Sequence, residues 1–115
     1  MAFIFVYVLI ILYNVPSRTG CDLQNETVLR LIEHENIVGL KDATGDLKRQ
    51  EDLLRELNKN GSQNFSLYSG DDPTAARFML NGGVGTISVT ANIVPKIISE
   101  ICDLAFEGRS DEALN

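Results

Sequence analysis

The chain alternates short apolar runs with longer amphipathic segments, and the alternation repeats four times. The apolar runs, which predict β-strands, occupy residues 8–13, 36–40, 65–70 and 85–91. The amphipathic segments, which predict helices, occupy residues 26–35, 47–60, 72–82 and 95–108, and another helix begins at 110. Repeated βα units indicate an α/β fold with a parallel sheet and right-handed crossovers. The pattern alone leaves two folds open: half of a (β/α)8 barrel or a small open doubly wound sheet.

Capping residues set the expected ends of the helices. Asp46 is an expected N-cap, and Gly61 stands where a glycine ends the same helix. Asp72 is the expected N-cap of the next helix, with Pro73 at its first position and Gly82 at its end. The apolar side of the last long helix is expected to consist of Ile97, Ile98, Ile101 and Leu104.

The composition excludes several classes of protein. A length of 115 residues suggests one domain, and a net charge of −6 argues against a nucleic-acid partner or an anionic membrane surface. Cys21 and Cys102 are far apart, and His34 is the single histidine, so we expect neither a disulfide scaffold nor a metal site. We interpret the cysteines as reduced, partly buried thiols of a cytoplasmic protein.

The N-terminal stretch "MAFIFVYVLIILY" is apolar and uncharged. It is shorter than the roughly 20 residues that span a bilayer, and no signal-cleavage pattern follows it. We interpret it as a buried strand preceded by an atypical apolar lead-in. The expected division is therefore a lead-in at 1–7 and a folded unit at 8–115.

Three reactive side chains stand where strands are expected to end. Ligands of parallel βα folds bind at this edge, and it carries Tyr13, Arg18 and Lys41. A desolvated lysine favours its neutral amine, which can form a Schiff base with a ketone, and a tyrosine beside it can move protons. Each residue also has an ordinary explanation: a solvated strand end for Lys41, a core residue for Tyr13 and a surface ion pair for Arg18. Asp71 and Asp72 are most simply helix caps.

Four motifs occur in order along the chain: "YNVPSRTG" at 13–20, "GLKDATGD" at 39–46, "YSGDD" at 68–72 and "GTISVTAN" at 85–92. Together they resemble the dihydrodipicolinate synthase family, and the resemblance covers about residues 8–115. It implies a (β/α)8 TIM barrel of the class I aldolase type. This chain would carry strands five to eight of that barrel, a half-barrel.

The resemblance also implies a reaction and a set of site residues. Lys41 would form a Schiff base with pyruvate, Tyr13 would relay protons, and Arg18 would hold the carboxylate of L-aspartate 4-semialdehyde. Gly70 and Ile87 would line the pyruvate pocket. The condensation gives 4-hydroxy-tetrahydrodipicolinate, an early step of lysine biosynthesis by the diaminopimelate route. It requires no metal or cofactor, and family members form homotetramers, so a homo-oligomer is expected.

Two alternatives remain beside this interpretation. The sister enzyme N-acetylneuraminate lyase shares the lysine and the tyrosine, although Arg18 within "SRTG" favours the synthase. A complete barrel takes about 250 residues, so we expect a fragment truncated at both ends whose stand-alone activity is doubtful. The rival to an enzyme is a non-catalytic remnant, or a half-barrel whose role is to associate with a partner.

Overall fold

A computed structural model describes residues 8–61 and 64–115, and these residues form one parallel sheet of four strands. The strands are β1 (Ile10–Asn14), β2 (Ile37–Asp42), β3 (Ser66–Ser69) and β4 (Gly85–Thr86). They lie side by side in the order β1-β2-β3-β4, and each neighbouring pair is parallel. Because consecutive parallel strands need a crossover on one side, this order confirms the predicted βα repeat.

Helices connect and follow the strands. They are α1 (Pro16–Thr19), α2 (Asn25–Leu31), α3 (Leu47–Lys59), α4 (Ala75–Leu80), α5 (Pro95–Phe106) and α6 (Ser110–Ala113). Short 3-10 turns at Asp72–Thr74 and Thr90–Asn92 precede α4 and α5. The loop expected after β1 contains α1, because Pro16 occupies its first turn and Gly20, at φ 68°, supplies its left-handed cap.

The caps of α3 are those that the sequence predicts. The Asp46 carboxylate accepts a hydrogen bond of 3.0 Å from the Arg49 backbone N–H. Gly61, at φ 68°, follows the C-cap of the helix. Gly82, at φ 103°, likewise follows the end of α4, as predicted. Glycine reaches this backbone region without the steric cost that other residues meet there.

The predicted N-cap role of Asp72 is wrong. Asp71 precedes the 3-10 turn, and Asp72 is the first residue within it. The Asp72 carboxylate instead accepts hydrogen bonds from the Thr90 N–H at 3.0 Å and the Thr90 hydroxyl at 2.7 Å. Asp72 therefore connects the segment after β3 to the segment after β4 through these two hydrogen bonds.

The fourth strand is shorter than predicted. The expected strand at 85–91 keeps only Gly85–Thr86, and the chain then turns. The Ser88 hydroxyl accepts a hydrogen bond of 3.0 Å from the Ala91 N–H. Serine and threonine side chains compete in this way for the backbone groups that a sheet would use, and they end the strand early.

The main core lies between one face of the sheet and the helices. It consists of Val28, Leu40, Leu53, Leu57, Leu67 and Phe78. A smaller cluster of Met79, Ala105 and Ala113 joins α4, α5 and α6. Of the four residues expected to face inward on α5, three are half-buried, whereas Ile97 is 54% exposed. The prediction for Ile97 is therefore wrong, because the described residues place nothing over that side of α5.

The other face of the sheet is uncovered among the described residues. Ile11 and Tyr13, which lie on this face, are 44% and 51% exposed. The prediction of a buried first strand is thus wrong for this face, since only one side of β1 packs on helices. Residues 1–7, the predicted lead-in, lie outside the described residues. Within residues 8–61 and 64–115, no helix is long and apolar enough to cross a membrane.

Both cysteines are free thiols, as predicted, but only one is partly buried. Cys102 lies half-buried on α5, and burial raises the pKa of its thiol. Cys21 is exposed in the surface loop that follows Gly20.

Candidate active site

Lys41 and Tyr13 meet on the uncovered face of the sheet. They are direct register partners in the β1–β2 pair, one residue before each strand ends. The Lys41 Nζ atom lies 4.2 Å from the centroid of the Tyr13 ring, a cation–π distance. The structure therefore brings the predicted nucleophile and the predicted proton relay into contact.

The same row of residues continues across the sheet. Lys41 is also the register partner of Tyr68 on β3, and Tyr68 pairs with Gly85 on β4. A Cβ atom added to Gly85 would lie 3.5 Å from the Tyr68 ring, so the ring packs against β4. Tyr68 lies in the motif at 68–72, but the sequence analysis assigned it neither a role nor a face of the sheet. The strand alternation that puts it on the same face as Gly70 was the available signal.

Gly70 lies against the stem of Lys41. A Cβ atom at this position would lie 2.8 Å from Lys41 Cε and 2.9 Å from Ala43 Cβ, distances that real side chains do not reach. The Gly70 N–H donates a hydrogen bond of 2.7 Å to the Asp42 carbonyl oxygen. Only a glycine leaves room for the lysine stem to lie this close to β3.

Lys41 lines an open cleft of about 510 Å³. Its walls include Tyr13, Arg18, Lys41, Gly70, Asp71 and Val89. The structure thus places four of the five predicted site residues around one space. Ile87 lies outside the cleft wall, just beyond β4, and its N–H donates a hydrogen bond of 2.9 Å to the Ser69 carbonyl oxygen. Val89, which sequence reasoning did not single out, lines the cleft from the same segment.

Arg18 lies on α1 with its side chain exposed at the cleft. Among the residues that the structure describes, its guanidinium group forms no ion pair, in contrast to the ordinary explanation of a surface pair. Asp71, on another wall, accepts a hydrogen bond of 2.7 Å from the Thr74 hydroxyl. The cleft therefore offers a guanidinium group suited to a carboxylate ligand.

Sequence reasoning did not assign a partly buried polar cluster on the opposite face of the sheet from Tyr13 and Lys41, which we call the strand-end cluster. Its members are Asn14, Asp22, Asp42 and Arg49. Asn14 and Asp42 are register partners and are 2% and 6% exposed. Polar residues at strand positions that should face the core were the available signal for the cluster.

The pKa values of the two carboxyl groups in the strand-end cluster are shifted in opposite directions. Burial raises the pKa of Asp42, although hydrogen bonds from the Thr44 N–H and hydroxyl and the charge of Arg49 oppose the rise. The pKa of Asp22 is lowered, chiefly by a hydrogen bond from Asn14 and also by Arg49. Arg49 therefore lies within ion-pair distance of both the buried Asp42 carboxyl group and the surface Asp22 carboxyl group.

Residues 8–115 match the dihydrodipicolinate synthetase family. The 4-hydroxy-tetrahydrodipicolinate synthase of Thiobacillus denitrificans is 57% identical over 86% of this chain, and that of Marinobacter nauticus is 52% identical over 89%. These alignments cover 32% and 34% of the two relatives. The chain therefore spans about a third of the length of the curated relatives that it matches.

Solved structures show the same likeness. The dihydrodipicolinate synthase of Acinetobacter baumannii, complexed with pyruvate, superimposes with a TM-score of 0.87 at 52% identity, over 94% of this chain and 36% of that one. The synthase from Aquifex aeolicus gives a TM-score of 0.84 at 34% identity, over 95% of this chain and 37% of that one. The four parallel strands are half of a (β/α)8 barrel, as predicted. The chain belongs to the dihydrodipicolinate synthetase family.

Proposed function

We propose that Lys41 forms a Schiff base with pyruvate in the reaction of a 4-hydroxy-tetrahydrodipicolinate synthase, with Tyr13 as its proton relay. The observation that carries the proposal is the 4.2 Å approach of the Lys41 nitrogen to the Tyr13 ring beside an open cleft. The solved relative from Acinetobacter baumannii, which holds pyruvate, supports the choice of substrate.

The proposed chemistry begins at the neutral Lys41 amine. The amine adds to the keto carbon of pyruvate, and loss of water gives an imine. Loss of a methyl proton from the protonated imine gives an enamine, whose carbon can form a bond to an aldehyde carbon. As the addition compound loses water to become the imine, the hydroxyl group of Tyr13 supplies and removes protons. The Lys41 nitrogen lies against the ring that carries this hydroxyl group.

The second substrate is proposed to be L-aspartate 4-semialdehyde. Arg18, exposed at the cleft, would bind its carboxylate through two parallel N–H donors. The backbone of Gly70 would line the pyruvate pocket, because it lies against the side chain of Lys41. Ile87 would line the pyruvate pocket from the segment just beyond β4, where its side chain is 45% exposed. In this proposal lysine biosynthesis is the pathway, and the cytoplasm is the compartment.

Full turnover is proposed to need the rest of a barrel. The chain spans about a third of its relatives, and its sheet exposes Ile11 and Tyr13 by 44% and 51%. A catalytic unit without all of its members loses most of its rate. The bare face favours a second candidate function, a half-barrel that associates with further chains, including copies of itself.

Borohydride trapping tests the proposal. The chain is incubated with pyruvate and cyanoborohydride, and the adduct is located by intact mass and peptide mapping. We expect one adduct, on Lys41, and none on the exposed Lys48, Lys59 and Lys96. Lys41→Gln should abolish the adduct, and Lys48→Gln should leave it unchanged. Equal labelling of all lysines, or no adduct while a full-length relative is labelled in parallel, would contradict the proposal for this chain.

A further inference from the structure

The strand-end cluster lies on the opposite face of the sheet from the reactive amine. Asn14 follows Tyr13 and Asp42 follows Lys41, and side chains alternate between the two faces of a strand. The small exposure of Asn14 and Asp42, 2% and 6%, keeps both away from the cleft. The cluster members are not among the described residues that line the cleft, and the strands β1 and β2 are the structural connection between the cluster and Lys41.

Arg49, from α3, connects the surface loop before α2 with the end of β2. Its Nη1 atom lies 2.9 Å from Asp22 Oδ2, and its Nη2 atom donates to the Leu23 carbonyl oxygen. Its Nε atom lies 3.6 Å from Asp42 Oδ2, which is too long for a hydrogen bond and close enough for a charge contact. The planar guanidinium group reaches all three partners at once, whereas a lysine ammonium has no such fork.

Asn14 completes the link at the end of β1. Its Nδ2 atom donates to Asp22 Oδ1 at 2.9 Å and lies 3.5 Å from Asp42 Oδ1. Its Oδ1 atom accepts a hydrogen bond of 3.0 Å from the Leu23 N–H. Side chains thus join the strand ends one residue beyond the Tyr13–Lys41 pair, in addition to the backbone ladder.

We propose that Arg49 is a positioning residue for the Lys41 amine, acting through Asp42 and Asn14 to hold the ends of β1 and β2. The proposal rests on the Schiff-base role proposed for Lys41. Without Arg49 the Asp42 carboxyl group would stay buried with no cation, and breaking one side of such a pair is strongly unfavourable. The end of β2 would then move, and Lys41 with it.

Three variants test the proposal, and two variants of an exposed ion pair serve as controls. Arg49→Met removes the cation, and Arg49→Lys keeps a charge without the fork. Asp22→Asn changes one partner at the surface, where the core does not depend on it. The controls are Arg55→Met and Asp52→Asn, which alter an exposed ion pair of 3.1 Å on the same helix.

The first readout is the rate of pyruvate trapping on Lys41. The second is the pH profile of Lys41 methylation by formaldehyde and cyanoborohydride, with Lys59 and Lys96 as internal references, since Lys48 pairs with Asp52 and would respond to the Asp52→Asn control. This second readout needs no pyruvate. The groups that border Lys41 are Tyr13 on β1, Tyr68 on β3, and Arg18 and Asp71 around the cleft, and every variant leaves them in place. Circular dichroism selects conditions in which each variant is folded.

We expect Arg49→Met and Arg49→Lys to slow trapping about tenfold or more, since a misplacement of about 1 Å can cost up to about 10²-fold. The methylation profile of Lys41 should move relative to the reference lysines, by less in Asp22→Asn and not at all in the controls. If Arg49→Met does not fold, Arg49→Lys and Asp22→Asn decide the matter.

Two other results separate the proposals. Unchanged Lys41 profiles in every folded variant would overturn the positioning role, even if thermal stability falls. A missing pyruvate adduct in the unchanged chain would contradict the Schiff-base role alone. A shifted methylation profile in Arg49→Lys, which keeps the positive charge, would then still support the positioning role of Arg49.

Discussion

The side-chain nitrogen of Lys41 lies 4.2 Å from the ring centroid of Tyr13, across the β1–β2 pair. The two residues are 28 positions apart in the chain and direct partners in the sheet. This relationship brings the proposed nucleophile and the proposed proton relay together on one face of the sheet, and the first two predictions below depend on it.

Tyr13→Phe should keep the ring over Lys41 and remove only the hydroxyl group. Because general acid–base catalysis contributes about 10²–10⁴-fold, we expect pyruvate trapping on Lys41 to slow by about 10²-fold. The free energy of unfolding should change by less than about 0.5 kcal/mol, because the Tyr13 side chain is half exposed. Tyr68→Phe, on the other side of Lys41, is the control and should retain most of the rate. Equal losses in both variants would contradict a specific relay by Tyr13.

Gly70→Ala should displace Lys41, because the added Cβ atom would lie 2.8 Å from Lys41 Cε. The lysine stem is flexible and can move away, so we expect the free energy of unfolding to fall by only about 1–3 kcal/mol. The rate of pyruvate trapping on Lys41 should fall more strongly, because the amine itself is displaced. Gly39→Ala is a suitable control, since its Cβ atom would lie 2.8 Å from the Ser66 carbonyl oxygen instead. Trapping and urea denaturation measured on both variants separate the two effects. Similar trapping rates at equal stability would argue against a role for Gly70 beside the amine.

Asp72 should make the stability depend on acid. Burial acts to raise the pKa of Asp72, but hydrogen bonds from Ser88 and Thr90 outweigh it and hold the pKa below its usual value of 3.8. A lowered pKa means that the stabilisation is complete above 3.8 and is lost as the pH falls through the folded-state value.

Asp72→Asn should therefore cost about 1–2 kcal/mol at pH 7 and progressively less toward pH 2. Urea denaturation across this range gives the difference in unfolding free energy between the two chains. Asp103→Asn, at an exposed position on α5, is the control and should show a small difference throughout. A constant difference for Asp72→Asn at every pH would refute the assigned linkage.

The bare sheet face should make the chain associate. Ile11 is 44% exposed next to Tyr13 on this face, and large exposed apolar patches mark interaction sites or aggregation. Sedimentation velocity should show a mass that rises with concentration, and Ile11→Lys should weaken this association. Ile97→Lys, an exposed position on α5, is the control. A compact monomer at all concentrations would count against association through this face.

Several local features followed from the sequence because they depend on neighbours in the chain. The spacing of apolar runs predicted four parallel strands, and Asp46, Gly61 and Gly82 marked helix ends where the structure has them. Backbone preferences and capping bonds act over a few residues, so they can be inferred without the fold. The motifs around Tyr13 and Lys41 likewise indicated the family.

Contacts between distant segments were decided by the tertiary structure. Asp72 bonds to Thr90 rather than capping its own helix, and Arg49 reaches Asp22 and Asp42 from another element. The side of β1 that stays uncovered also depends on which layers pack against the sheet. The sequence by itself determined the order of the βα units and the residues at their ends. Only the tertiary structure decided which side chains meet, because register and packing join residues from separate segments, such as Asp72 and Thr90 or Asn14 and Asp42, which are 18 and 28 positions apart.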